Sequence, residues 1–130
     1  PTSNTTRTLE FITGLFPPSE QQSIRMRLAK NLRWIISQRL IEKRDGAGRV
    51  AVFEIFKSIP RNRGILEKTD LSGKVLAYAM REGAAEGMQN FQDEIERLIQ
   101  AGIISREAAM DAASDVLEDP LEPAVKAPLP

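Results

Sequence analysis

Apolar positions along most of this chain recur at intervals of three and four, the spacing of one face of an α-helix. From Thr5 to Phe16 they fall at Leu9, Ile12, Leu15 and Phe16, which predicts a helix capped by Asn4 or Thr5. Pro17-Pro18 ends it, because proline has no N–H to donate and restricts the residue before it. Ser19-Glu20-Gln21-Gln22 has the form of a capping box, so a second helix is expected from Ser19. Its buried stripe is Ile24, Leu28, Leu32, Ile35 and Ile36, continuing toward Leu40. Trp34 falls about 120° from the centre of that stripe at 100° per residue, so it flanks the core, packed by a neighbouring loop or turned toward a partner.

The period then changes. Gln38 to Lys43 is followed by Arg44-Asp45-Gly46-Ala47-Gly48-Arg49 and by the β-branched and aromatic run Val50-Ala51-Val52-Phe53-Glu54-Ile55-Phe56. Asp-Gly with a second glycine between two such runs predicts a hairpin. Two strands alone are marginal in water, so the hairpin must pack on helices or extend a sheet supplied elsewhere.

Helical spacing resumes after Pro60, which suits a first helical position before 61–68. Thr69 or Asp70 can cap a helix from Leu71 to about Glu82 with Val75, Leu76, Ala79 and Met80 on its apolar side. Gly83 and Gly87 bracket a turn. Asn90 caps the next helix, Asp93 complements its positive end, and Phe91, Ile95, Leu98 and Ile99 form its stripe. Gly102 has the place of a terminating glycine. Ser105 opens a last helix through Ala113. Four prolines after Asp119 predict a flexible end. The expected fold is mainly α with one β-hairpin and five to six helices, over residues 1–115, followed by a Pro-rich tail at 116–130.

Composition narrows the chemistry. Of 130 residues none is histidine or cysteine, which excludes thiol nucleophiles, Ser-His-Asp triads and His- or Cys-based zinc sites. The formal charge of zero hides a split: residues 24–74 carry 13 Lys+Arg against five acids, and residues 75–130 carry four against eleven. Such a split fits head-to-tail self-association or an external partner, and equally halves that neutralise each other on folding. A nucleic-acid surface built on Arg25, Lys30 and Arg33 is disfavoured by the scarcity of aromatic stacking residues.

Motifs for catalysis fail on inspection. Gly73-Lys74 is not a phosphate loop, since the first glycine position is Lys68 and the hydroxyl position is Val75. Gly46-Ala47-Gly48 lies between strands. Asp93, Glu94 and Glu96 make an acidic patch that reads as a solvated helix start rather than a magnesium site. Spacing nominates no catalytic, cofactor-binding or metal-ligating residue.

Five stretches in order carry a resemblance. They are Thr2-Ser3-Asn4-Thr5-Thr6-Arg7-Thr8-Leu9, Leu15-Phe16-Pro17-Pro18, Ser37-Gln38-Arg39-Leu40 with Gly48-Arg49-Val50-Ala51-Val52-Phe53-Glu54-Ile55, Gly87-Met88-Gln89-Asn90-Phe91 with Asp93, and Ala101-Gly102-Ile103-Ile104-Ser105-Arg106-Glu107-Ala108-Ala109. Together they resemble the C-terminal half of the motor domain of the PilT-type pilus-retraction ATPases, within the type II and type IV secretion ATPases. The resemblance runs to about Ala113. It implies a RecA-like α/β fold, a hexameric ring of such chains, ATP hydrolysis with Mg²⁺, a pilus or secretion platform protein at the inner membrane as partner, and a cytoplasmic, membrane-peripheral location. The family's phosphate loop and catalytic carboxylates lie upstream of the matched region, and Pro1 stands where its box histidine would be. The family's retraction helix corresponds to Arg61–Lys68, where Arg63, Ile65 and Leu66 match and become candidate coupling residues. Gly87, Met88, Gln89, Asn90, Phe91 and Asp93 are expected to form a structural turn and cap. The reading outside this family is a free-standing helical interaction module without nucleotide binding.

Overall fold

The computed structural model describes residues 4–68 and 73–114, with side chains described as far as Ala112. Among the described residues the order is α1 (Thr5–Gly14), α2 (Pro18–Asn31), β1 (Trp34–Glu42), β2 (Arg49–Lys57), α3 (Pro60–Glu67), α4 (Gly73–Glu82), a short 3₁₀ turn (Ala84–Glu86), α5 (Phe91–Gln100) and α6 (Arg106–Ser114). The mainly α architecture with one antiparallel hairpin is as expected. The proposed caps Thr69 and Asp70 and the Pro-rich tail lie outside the described residues.

β1 and β2 pair in full register from Trp34↔Lys57 to Glu42↔Arg49. Side chains alternate across a strand, so Ile35, Ser37, Arg39 and Ile41 share the inner face with Val50, Val52, Glu54 and Phe56. The helices all lie on that side. Two apolar clusters divide it. Ile35 and Phe56 join Leu9, Ala29, Leu66, Leu76, Met80 and Met88 at one end. Ile41 and Val52 join Phe91, Leu98, Ile104 and Ala109 at the other. Between them the inner face is polar, with Ser37 opposite Glu54.

The second helix differs from expectation at both ends. It ends at Asn31, where the Asn31 side chain donates to the Arg27 carbonyl at 2.8 Å and Leu32 turns to extended backbone. Ile35 and Ile36 thus belong to β1 and face opposite ways, the first buried and the second 60% exposed. Their helical spacing to Leu28 and Leu32 was a coincidence of a short apolar run, which periodicity alone cannot assign. Nine residues of pairing with β2 outweigh the extra helical turns. Trp34 opens β1 rather than flanking a helix, and Lys57 Nζ lies 4.3 Å from its ring centre. At the start, Pro17 holds the cap position and Pro18 the first helical position, so Ser19 is already inside the helix. Gln22 makes no capping box; it donates to the Glu67 carbonyl and accepts from Arg25, joining α2 to α3.

The other ends obey their local rules. Asn4 Oδ1 accepts from Arg7 N at 2.8 Å, and Ser105 Oγ from Ala108 N at 3.0 Å. α5 closes in a Schellman motif: Gly102 N donates to Ile99 O and Ile103 N to Leu98 O, each at 3.0 Å, with Gly102 at φ +74°. Replacing Gly102 with alanine should lower stability by about 1 kcal/mol, because the left-handed backbone there costs any residue with a Cβ. A urea midpoint unchanged by Gly102→Ala would contradict this.

Candidate functional site

The stretch from Gly87 to Asp93 joins β2, α4 and α5, and its chemistry follows from its neighbours. Gly87 sits at φ +86° after the 3₁₀ turn and lets the chain reverse. Met88 is buried against Gly83, where a Cβ would lie 2.5 Å from its methyl carbon. Gln89 forms a two-way backbone bridge with Ile55 at 2.8 and 3.1 Å, and its side chain donates to the Phe53 carbonyl at 2.8 Å. The segment thereby bridges the outer edge of β2 at Ile55 and Phe53. Asn90 is buried; its Oδ1 caps α5 through Asp93 N at 2.8 Å and its amide donates to the Ala77 carbonyl of α4 at 3.0 Å. Phe91 packs in the second cluster, with the Arg39 guanidinium 4.4 Å above its ring.

Asp93 and Arg81 form a two-pronged pair, both contacts at 2.7 Å, tying the end of α4 to the start of α5. The Arg81 and Asn90 hydrogen bonds hold the Asp93 carboxyl below its ordinary value. The acidic patch is thus spent internally: Asp93 on Arg81, Glu94 on Arg97 and Glu96 on Arg106. Among the described residues no group of three or more His, Cys, Asp or Glu stands where it could hold a metal ion.

Glu54 is the residue that pattern reading passed over. Its carboxylate lies on the inner face of β2, 6% exposed. Oε1 accepts from Thr5 N and Oε2 from Phe91 N, each at 2.9 Å. These are the first helical amides of α1 and α5. One carboxylate therefore satisfies two helix N-termini, where free N–H groups and the macrodipole both favour negative charge. The available signal was a glutamate in phase with Val52 and Phe56 on an otherwise apolar strand face.

The coupling candidates separate. Arg63 is exposed on α3. Ile65 is half-buried and lines a groove of about 390 Å³ between α3 and α4, with Arg61, Asn62, Tyr78, Ala79 and Glu82. Leu66 is 1% exposed and belongs to the core, so it supports this surface from beneath. Beside the groove Arg61 pairs with Glu86 at 3.3 Å. Tyr78 donates to Glu82 at 2.8 Å, and that carboxylate raises the phenol above its ordinary value. Gly73-Lys74 opens α4, with Val75 at the next position.

No protein-family model matches the chain. Curated relatives do. A twitching motility protein of Neisseria gonorrhoeae is 31% identical over 114 residues, 88% of this chain and 30% of the relative. The type IV pilus retraction ATPase PilT of Pseudomonas aeruginosa is 32% identical over 112 residues, 86% of this chain and 32% of its own length. Among solved structures, the pilus retraction motor PilT with bound ADP superposes with a TM-score of 0.67 at 28% identity, over 93% of this chain and 32% of that one. The chain thus spans about a third of the length of the relatives it matches.

Glu54→Gln should destabilise the chain by about 1–3 kcal/mol, since an amide leaves one of two buried helix amides without an acceptor. Chemical denaturation measures it, and a change below 0.5 kcal/mol would count against the double tie. For Asp93, a folded pKa below the unfolded 3.8 means that its stabilisation is present above about pH 4 and lost as pH falls through the folded value. Arg81→Ala should remove that component, worth at most about 1 kcal/mol for an exposed pair, and flatten the stability profile below pH 4. Equal acid slopes in parent and variant would refute the assignment.

Proposed function

We propose that this chain, a relative of the PilT-type ATPases by sequence and by fold over most of its length, is the C-terminal part of a motor domain that powers type IV pilus retraction or a related secretion process. The carrying observation is the superposition on the retraction motor across 93% of the chain. The five matching stretches support it, because in this structure they are the joints of the fold: the start of α1, the α1–α2 turn, the hairpin, the turn before α5 and the close of α5. In this reading ATP and Mg²⁺ are bound by residues outside the chain. The chain itself supplies the hairpin, the helices beneath it and surfaces that pass motion on. The working assembly is a hexameric ring on the cytoplasmic side of the inner membrane, acting on a pilus or secretion platform protein. The described residues contain no helix long and apolar enough to cross a membrane. The charge split suits head-to-tail contacts, which set unlike faces of neighbours together. Nucleic acid is not a partner in this reading. Arg63, exposed on α3, is the coupling residue toward the partner, with Ile65 in the α3–α4 groove and Leu66 holding the helix from below.

The first test is the coding sequence upstream of Pro1. It should encode a Gly-rich loop ending Gly-Lys-Ser/Thr, and its absence would end the motor reading in favour of a nucleotide-free interaction module. The 130-residue chain alone should show no ATP turnover above a blank preparation; the extended polypeptide should. In that polypeptide Arg63→Ala should leave ATP turnover within about twofold and thermal midpoint unchanged while reducing twitching. Unaltered twitching would remove Arg63 from the coupling path.

A further inference from the structure

Glu54 does more than cap two helices, because each helix already has a cap of its own. Asn4 Oδ1 accepts from Arg7 N in α1, and Asn90 Oδ1 from Asp93 N in α5, each at 2.8 Å. Those local caps serve the third helical amide and leave the first without an acceptor. Thr5 and Phe91 are the first residues of their helices, and both are buried. Glu54 accepts from both amides at 2.9 Å, through two oxygens held on one carbon. Two separate acceptors would satisfy these amides equally well. A shared acceptor adds what satisfaction does not require: the start of α1 cannot shift against the start of α5 without breaking a bond.

The two starts differ in what they are joined to. The start of α5 is fastened to the body of the fold by Gln89 on Ile55, by Asn90 on the Ala77 carbonyl and by Asp93 on Arg81. The start of α1 also meets α4, through the Thr5 hydroxyl on Met80 Sδ at 3.8 Å. It is also the point at which the chain arrives from the residues that precede the helix. In the motor reading, the residues that bind ATP lie upstream of that point. Both Glu54 oxygens are occupied and the side chain is buried, so it acts through these amides and not on a nucleotide directly.

We propose that Glu54 is a positioning residue for ATP hydrolysis: it sets the place at which the nucleotide-holding part joins α1 and keeps that place in register with the start of α5. This rests on the reading of the chain as the C-terminal part of a motor domain. The chemical step depends on alignment to within about 1 Å, whereas nucleotide binding tolerates more. Loss of the shared acceptor therefore slows turnover more than it weakens binding.

The test uses the polypeptide extended upstream, with kcat and KM for ATP measured well below the thermal midpoint of every variant. Glu54→Gln keeps the shape but offers one acceptor to two amides. It should lower kcat about tenfold and leave KM within about twofold. Thr5→Pro removes the α1 donor alone. Proline suits a first helical position, and Asn4 already has the extended backbone that a following proline requires, with φ −159° and ψ 177°. This variant should reproduce the loss in kcat while Phe91 N keeps its bond. Gly102→Ala lowers stability at the far end of α5 without touching either amide, so its kcat should stay within about twofold of the parent. Parental kcat in Glu54→Gln or in Thr5→Pro overturns the proposal. A loss confined to KM overturns it too. So does a Gly102→Ala protein that loses as much turnover as Glu54→Gln, which would leave Glu54 a contributor to stability and nothing more. Should Glu54→Gln fail to fold, Thr5→Pro against Gly102→Ala decides the matter. Failure of the motor reading is distinguishable: a parent without ATP turnover ends that reading and the proposal with it, while an active parent matched by its variants ends the proposal alone.

Discussion

The fold hangs on one carboxylate. Glu54 comes from the middle of β2 and holds the first amides of α1 and α5, which enter the core 86 residues apart in sequence. A buried charge is costly unless it is hydrogen-bonded, and here both oxygens are. Each bond also falls where a helix concentrates positive partial charge. The cluster around Phe56 and the cluster around Val52 meet at this point, so the residue that divides the core also fixes how its two parts are joined. Replacing it with an apolar side chain would merge the clusters and leave two helix starts without acceptors.

The Gly87–Asp93 segment works as the second joint. Gln89 reaches the sheet edge, Asn90 reaches α4 and caps α5, and Asp93 returns to Arg81. Three elements are thus held by side chains adjacent in sequence, and the only unusual backbone needed is at Gly87. The arrangement joins α4, the turn and α5 through capping, backbone and ionic contacts at once.

Local signals were legible where local chemistry decides the structure. Asn4, Asn90, Ser105, Gly102 and Pro60 each act at the helix end their residue type favours, and the hairpin is placed by Asp-Gly and the β-branched run. The errors arose where distant parts decide. Ile35 and Ile36 continue a helical stripe in sequence, yet pairing with Phe56 and Ile55, about 20 positions onward, sets them in β1. Ser19 and Gln22 had the letters of a capping box, but Pro18 had already fixed the first turn and Gln22 found better partners across α2 and α3. Glu54 stood in plain view on an apolar strand. What it binds depends on helices 49 and 37 residues away, so no local rule could supply its role. Among the coupling candidates, one-dimensional matching could not separate Leu66, a core residue, from Arg63 at the surface.

Two backbone bonds from Gln89 to Ile55 and a side-chain bond to the Phe53 carbonyl fasten the turn before α5 to the same strand that carries Glu54. Opening of that turn would release β2 and the Glu54 ties in one event, so the start of α5 and the middle of β2 should be lost together as one cooperative unit rather than in succession.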